Sequence, residues 1–319
     1  MNYIQQAYKG LHDGWRYVIG TIIIIVFVIG GQIPFTVAAI LEARNNGLSI
    51  FEMDETAIMG VLESNLNLFL MLLSFAFGLL GILIVNKWLH KMSFTQLTTA
   101  RKKIDWKRFW VIFFGWGILS SGLVLIDYYL SPDDYVWNFD LNNFLVLSII
   151  AIALVPLQTS CEEYLFRGYL MQGIGVAAKN RWVPLIVTSV IFGMLHIANP
   201  EVKQLGYIIM IYYIGTGLFL GIMTLMDEGL ELALGFHAAN NLFTALLVTA
   251  DWTAFQTYSI LKDTSDPTSA GIIDIVIPVF VMFPILLFIL SKKYGWKNWK
   301  EKLFGKVTEP PKEDYKIVE

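Results

Sequence analysis

The stretch Ser160-Cys161-Glu162-Glu163-Tyr164-Leu165-Phe166-Arg167 sets two adjacent carboxylates and an arginine inside an apolar run reaching from about Phe144 to Ala178. Such a run is longer than the ~20 residues that cross a bilayer as a helix. Ionisable side chains at membrane depth are rare, face a protein interior or a wet cavity, and point to function. On a helix, Glu163 and Arg167 are four apart and share a face, so they can pair. Glu162 points about 100° away and lacks that partner.

Composition supports a membrane fold. The 319 residues are 56% hydrophobic and 15% charged, whereas a soluble domain carries about 25% charged residues. The fold class expected is all-α, a polytopic integral membrane protein of about eight transmembrane helices, with its buried charges facing the interior or a wet intramembrane cavity. The spans read as 17–40, 66–86, 109–130, 144–162 or beyond, 183–198, 205–226, 232–250 and 272–291. The first is expected to be a retained span, because its apolar stretch is too long for a signal-peptide core. A net charge of −3, without a basic stripe, gives no sign of a nucleic-acid partner. A single cysteine, Cys161, excludes an internal disulfide framework and a Cys-rich metal site.

Loop charge orients the chain. Lys87, Lys91, Arg101, Lys102, Lys103, Lys107 and Arg108 fall between the second and third spans, and Lys292 to Lys306 follow the last. Loops of the other parity carry Glu52, Asp54, Glu55, Glu63, Asp133, Asp134 and Asp140. The positive-inside rule then places both termini in the cytoplasm. Residues 1–139 read as N-terminal membrane helices, 140–250 as the chemistry-bearing core, 251–294 as a loop and last span, and 295–319 as a cytoplasmic tail. The tail's near half is expected on the anionic inner leaflet and its far half disordered. Trp88, Trp106, Trp110, Trp137, Trp182, Trp296 and Trp299 read as interfacial anchors. Gly217 and Gly221 read as close helix packing.

Of the four histidines, His12 and His90 adjoin basic interfacial sequence and read as surface residues. His196 and His237 lie inside predicted spans, where a lone histidine can simply bond a neighbouring helix. Together with the Glu-Glu-Arg cluster they suggest a hydrolytic set. A desolvated carboxylate can serve as a general base, so Glu162 would deprotonate a water held jointly with His196. His237 and Asn241, four apart, share a helix face and could stabilise the oxyanion of an attacked carbonyl. Glu163 and Arg167 would support the helix and balance charge. Cys161 reads as a small buried hydrophobe rather than a nucleophile.

The ordered trio Glu162-Glu163-x-x-x-Arg167, Phe192-x-x-x-His196 and His237-x-x-x-Asn241 resembles the CPBP intramembrane protease family over about Asn143–Ala250. That family includes the type II CAAX prenyl endopeptidases and Abi-like bacteriocin-processing or immunity proteins. The resemblance implies an all-helical membrane protease with a glutamate-type mechanism on these residues, and a membrane-associated peptide or protein tail as substrate. No cofactor is required on this reading. Zinc, held by the two histidines and a carboxylate, is the alternative, although the sequence lacks a His-Glu-x-x-His helix. A bacterial cell membrane suits the polytopic, tail-light layout. A non-catalytic membrane scaffold or immunity factor, and less readily a coupled transporter, would use the same buried groups.

Overall fold

The computed structural model describes residues 1–267 and 272–315. It is mostly helical. Among the described residues, six helical segments are long and apolar enough to cross a membrane. They contain α1 (Gly14–Asn45), α2 (Ser64–Ile84, extended to Leu89), α3 (Trp106–Leu130), α4 (Leu141–Glu163, extended to Ala178), α6 (Met210–Asp227) and α8 (Phe283–Tyr294). The other two expected spans are shorter helices: α5 (Trp182–Met194) has 13 residues and α7 (Glu231–Leu247) has 17. At ~1.5 Å rise per residue neither crosses a full hydrocarbon core. α7 carries His237 and Asn241, α5 carries Phe192, and His196 stands in the turn just after α5.

Burial explains the arrangement. Exposed side chains along α1 and α3 are large and apolar, including Val18, Ile22, Ile29, Phe114 and Ile118, the pattern of a lipid-facing helix. By contrast α7 is buried along most of its length, wedged against α3, α4 and α6. Its close approach to α3 depends on Gly235, where a Cβ would collide with the Phe109 carbonyl oxygen. Across the same interface, a Cβ on Gly117 would strike the Phe243 ring.

At one end of the bundle a small sheet departs from an all-helical fold. Its strands are β1 (Tyr135–Trp137), β2 (Val248–Ala250) and β3 (Leu261–Asp263), in the order β1-β3-β2. β1 pairs antiparallel with β3, and β2 pairs parallel with it.

At the opposite end, the turn between α6 and α7 gathers the chain's loops. Asp227 accepts from Arg101, Arg108 and the Trp296 indole, and Glu231 from Arg101. Glu228 accepts from Arg181 and from the Tyr3 backbone N–H. The tail is therefore not merely interfacial or disordered through Tyr315. It forms α9 (Trp299–Phe304), hydrogen-bonds through Gly305 and Val307 to Arg181 and Lys179, and meets Gln5 at Thr308. Residues 316–319 of the expected disordered half lie outside the described residues. Trp296 is buried, whereas Trp88, Trp106, Trp110, Trp137, Trp182 and Trp299 are exposed. His90, expected on the surface, is buried between the Leu11 carbonyl and the Tyr169 hydroxyl. Tertiary packing, invisible to local polarity, decides both cases.

Candidate active site

The helix bearing Glu162 does not stop at the charged cluster. It continues to Ala178, where Lys179 adopts a left-handed conformation (φ 54°) and ends it. Within it, Tyr164–Leu170 widens into a π-helical stretch, a local irregularity frequent at functional sites.

Glu163 and Arg167 are both fully buried and form the pair expected from their spacing, Arg167 Nη1 donating to Glu163 Oε1 at 2.8 Å. Arg167 Nη2 donates to the Gly217 carbonyl on α6 at 3.2 Å, and the guanidinium lies 4.2 Å from the Phe192 ring centroid. Gly217 also sits tightly on α5, where a Cβ would crowd the Ser189 backbone. Arg167 thereby ties α4 to α5 and α6. Desolvating a guanidinium is costly unless its hydrogen bonds are satisfied inside, and here two of them are.

His237, on α7, completes the cluster. Its Nδ1 lies 2.8 Å from Glu163 Oε1 and its Nε2 lies 3.5 Å from Glu162 Oε2. Because an ionised carboxylate only accepts, the contact assigns the Nδ1 proton to His237. Nε2 is thus turned toward Glu162. The Glu162 Oε1 atom accepts from Gln158 Nε2 at 2.8 Å, while Oε2 is buried without a hydrogen bond from the chain. Gln158 Oε1 accepts in turn from Asn241 Nδ2 at 3.1 Å. Behind Asn241, Asn240 donates to its carbonyl oxygen and is itself held by the Trp116 indole. This amide chain fixes Asn241 and leaves one of its two Nδ2 hydrogens for another acceptor.

His196 occupies the turn just after α5. Its Nδ1 bonds the Phe192 carbonyl at 2.8 Å, which directs Nε2 away from its own helix. The ring stacks on Tyr213 at 4.5 Å and 21°. Phe192 stands beside both histidines, with centroids 5.0 Å from His196 and 6.0 Å from His237. Glu162, Glu163, Arg167, His237 and Asn241 are joined by direct contacts or through Gln158. His196 has no hydrogen bond or ion pair to them among the described residues. Cys161 is buried and packs toward Gly78, where an added Cβ would meet its sulfur.

Among the described residues no group of three or more His, Cys, Asp or Glu side chains is arranged to hold an ion. His237 Nδ1 is engaged by Glu163 and His196 Nδ1 by a carbonyl, which leaves Nε2 as the available ring nitrogen of each histidine.

The fold and site describe a polytopic integral membrane protein with buried carboxylates and imidazole converging at the junction of α4 and α7. Residues 141–243 match the Rce1-like type II CAAX prenyl endopeptidase family, and this segment contains Glu162, Glu163, Arg167, His196, His237 and Asn241. The chain is also 30% identical over 250 residues to the uncharacterised protein YyaK of Bacillus subtilis (strain 168), covering 78% of this chain and 83% of that one. The chain belongs to the Rce1-like type II CAAX prenyl endopeptidase family, and membership implies peptidase activity. No solved structure matches it.

Proposed function

We propose that this protein is an intramembrane endopeptidase that hydrolyses a peptide bond in a membrane-associated peptide or protein tail. The observation that carries the reading is Glu162. One of its carboxylate oxygens is anchored by Gln158, and the other is buried, unbonded and turned toward His237. In the proposed reaction Glu162 takes a proton from a water that His196 Nε2 helps to hold. The water oxygen adds to the scissile carbonyl carbon, and the proton passes to the amide nitrogen as the C–N bond breaks.

The carbonyl oxygen gains negative charge at the addition step and needs donors already in place. Asn241 supplies its free Nδ2 hydrogen. His237 can donate from Nε2 only when it carries a second proton, because Nδ1–H is spent on Glu163. Glu163, 2.8 Å from Nδ1, is then the counter-charge beside the ring. Two carboxylates, one guanidinium and one imidazolium then sum to zero, which suits a site away from water. No resident metal is needed on this scheme.

The basic linker, the N-terminal segment and the tail converge at the end of the bundle marked by the α6–α7 turn. Positive-inside charge assigns that end to the cytoplasm, and a bacterial cell membrane is the proposed location.

The test is peptide mass spectrometry on membranes of cells expressing wild type or Glu162→Ala, His196→Ala, His237→Ala and Asn241→Ala. Products that appear with wild type and vanish with the variants support the reading. Full biological function in all four well-folded variants would instead support a scaffold. Cleavage abolished by chelation and restored by Zn²⁺ would replace the metal-free scheme with a metalloprotease.

A further inference from the structure

An apolar cavity of about 140 Å³ opens between α2 and α3, with Leu79, Leu83, Trp106 and Phe109 among its walls. Phe94, on the short helix Phe94–Thr98, borders it, and Ser160, Tyr164 and Leu234 form its inner side. Ser160 and Glu162 are two apart on α4 and point about 200° apart, so the cavity backs onto the catalytic helix from the opposite face. Its one phenol is already engaged, Tyr164 Oη meeting Thr98 Oγ1 at 3.0 Å. The outer rim is formed by Leu83, Phe94 and Trp106, all exposed on the bundle's apolar flank. Such a recess in hydrocarbon accepts a flexible apolar chain more readily than a polar ligand.

Charge around the rim narrows the choice of occupant. Lys87 follows Leu83 by about one helical turn, Lys91 precedes Phe94 by three residues, and Lys102, Lys103 and Lys107 bracket Trp106. All five lysines are exposed, and their ammonium groups form no ion pair among the described residues. The linker's two arginines, in contrast, are committed to Asp105, Asp227 and Glu231. An apolar slot beneath free ammonium groups matches a lipid with acyl chains and an anionic headgroup.

We infer that this cavity seats one acyl chain of an anionic phospholipid, with its headgroup held by the surrounding lysines. The inference rests on the α2–α3 linker facing a lipid headgroup layer. It does not depend on proteolysis, and its readout is lipid retention.

Native mass spectrometry of the detergent-solubilised full chain, titrated with phosphatidylglycerol or phosphatidylcholine, tests it. Wild type should retain one phosphatidylglycerol in preference to phosphatidylcholine. The surface variant Lys102→Glu/Lys103→Glu/Lys107→Glu should lose that preference, by about five-fold per lysine at low salt. Leu83→Trp, which fills the slot, should weaken retention of both lipids. Equal retention of the two lipids by wild type overturns the inference. So does a preference that survives both the charge reversal and the filled cavity. The lysine variant alters only exposed positions, so the test stands even if Leu83→Trp folds poorly.

Discussion

Glu163 Oε1 accepts from both Arg167 Nη1 and His237 Nδ1, each at 2.8 Å. One buried oxygen thus couples the charge that ties α4 to its neighbours with the imidazole aimed at Glu162. Glu163 had been expected to serve Arg167 alone. Its second contact gives it a part in orienting the His237 ring.

Stability and activity should separate at this oxygen. Glu163→Gln leaves Arg167 without its counter-charge and should cost about 3–5 kcal/mol of stability. The paired change Glu163→Leu/Arg167→Met removes both charges and should recover most of that loss, since buried ion pairs can be replaced by apolar groups of similar volume. Peptide cleavage should stay abolished, because His237 has lost its orienting carboxylate. Thermal unfolding in detergent, measured beside cleavage, checks both halves. Cleavage restored along with stability would reduce Glu163 to a purely structural residue.

Glu162→Gln should behave in the opposite way. Glutamine retains an oxygen to accept from Gln158 but cannot take a proton from water. Cleavage should fall by about 10²–10⁴-fold. The melting temperature should hold or rise, since a buried, unbonded carboxylate oxygen is removed. A variant that cleaves within a few-fold of wild type would remove Glu162 from the proton-transfer role.

Much of this cluster was legible in the chain. The i, i+4 spacing predicted the Glu163–Arg167 pair and a shared face for His237 and Asn241, because helical geometry is local. The fourth helix runs through Pro156 and continues to Ala178, ending where Lys179 turns left-handed. Gln158 stands four residues before Glu162 on the same helix, a spacing that could have found it, whereas Asn240 and Trp116 were not legible. Amides and indoles are common on helices, and no spacing rule marks the ones that meet across an interface. The same holds for Asp227 and Glu231, whose partners lie more than a hundred residues away on the basic linker. Helix length was misjudged at α5 and α7 because hydropathy continues through turn and strand residues that no longer extend the helix.

The α3–α7 contact predicts a steric effect two residues from His237. Alanine at Gly235 would press its methyl group against the Phe109 carbonyl oxygen, a backbone atom that cannot rotate aside. Overpacking of this kind costs about 1–3 kcal/mol. Here it should also displace α7 relative to α4 and lengthen the His237 contacts to both glutamates. Gly235→Ala should therefore lose cleavage more steeply than stability. Gly115→Ala, with open space around its Cβ, is the matched control. Equal behaviour of the two variants would show that the α3–α7 separation does not govern the site.

His90 predicts a pH dependence remote from the proposed catalytic groups. Burial lowers its pKa, and Arg16 adds to the effect, while the Leu11 carbonyl bonded to Nδ1 opposes it. The ring also contacts Tyr17 and Tyr169. The unfolded chain therefore binds a proton on His90 at a higher pH than the folded protein does. Stability from the neutral, buried ring is fully present above the unfolded pKa of about 6.5 and declines as pH falls toward the lower folded value. His90→Gln can keep the bond to Leu11 without titrating, so it should flatten this part of the acid limb. Carboxylates elsewhere contribute equally to wild type and variant, so their difference in melting temperature between pH 8 and 5 isolates His90. The wild type should lose its advantage over the variant as pH falls. A difference that stays constant across that interval would mean that His90 carries the same charge in the folded and unfolded chain.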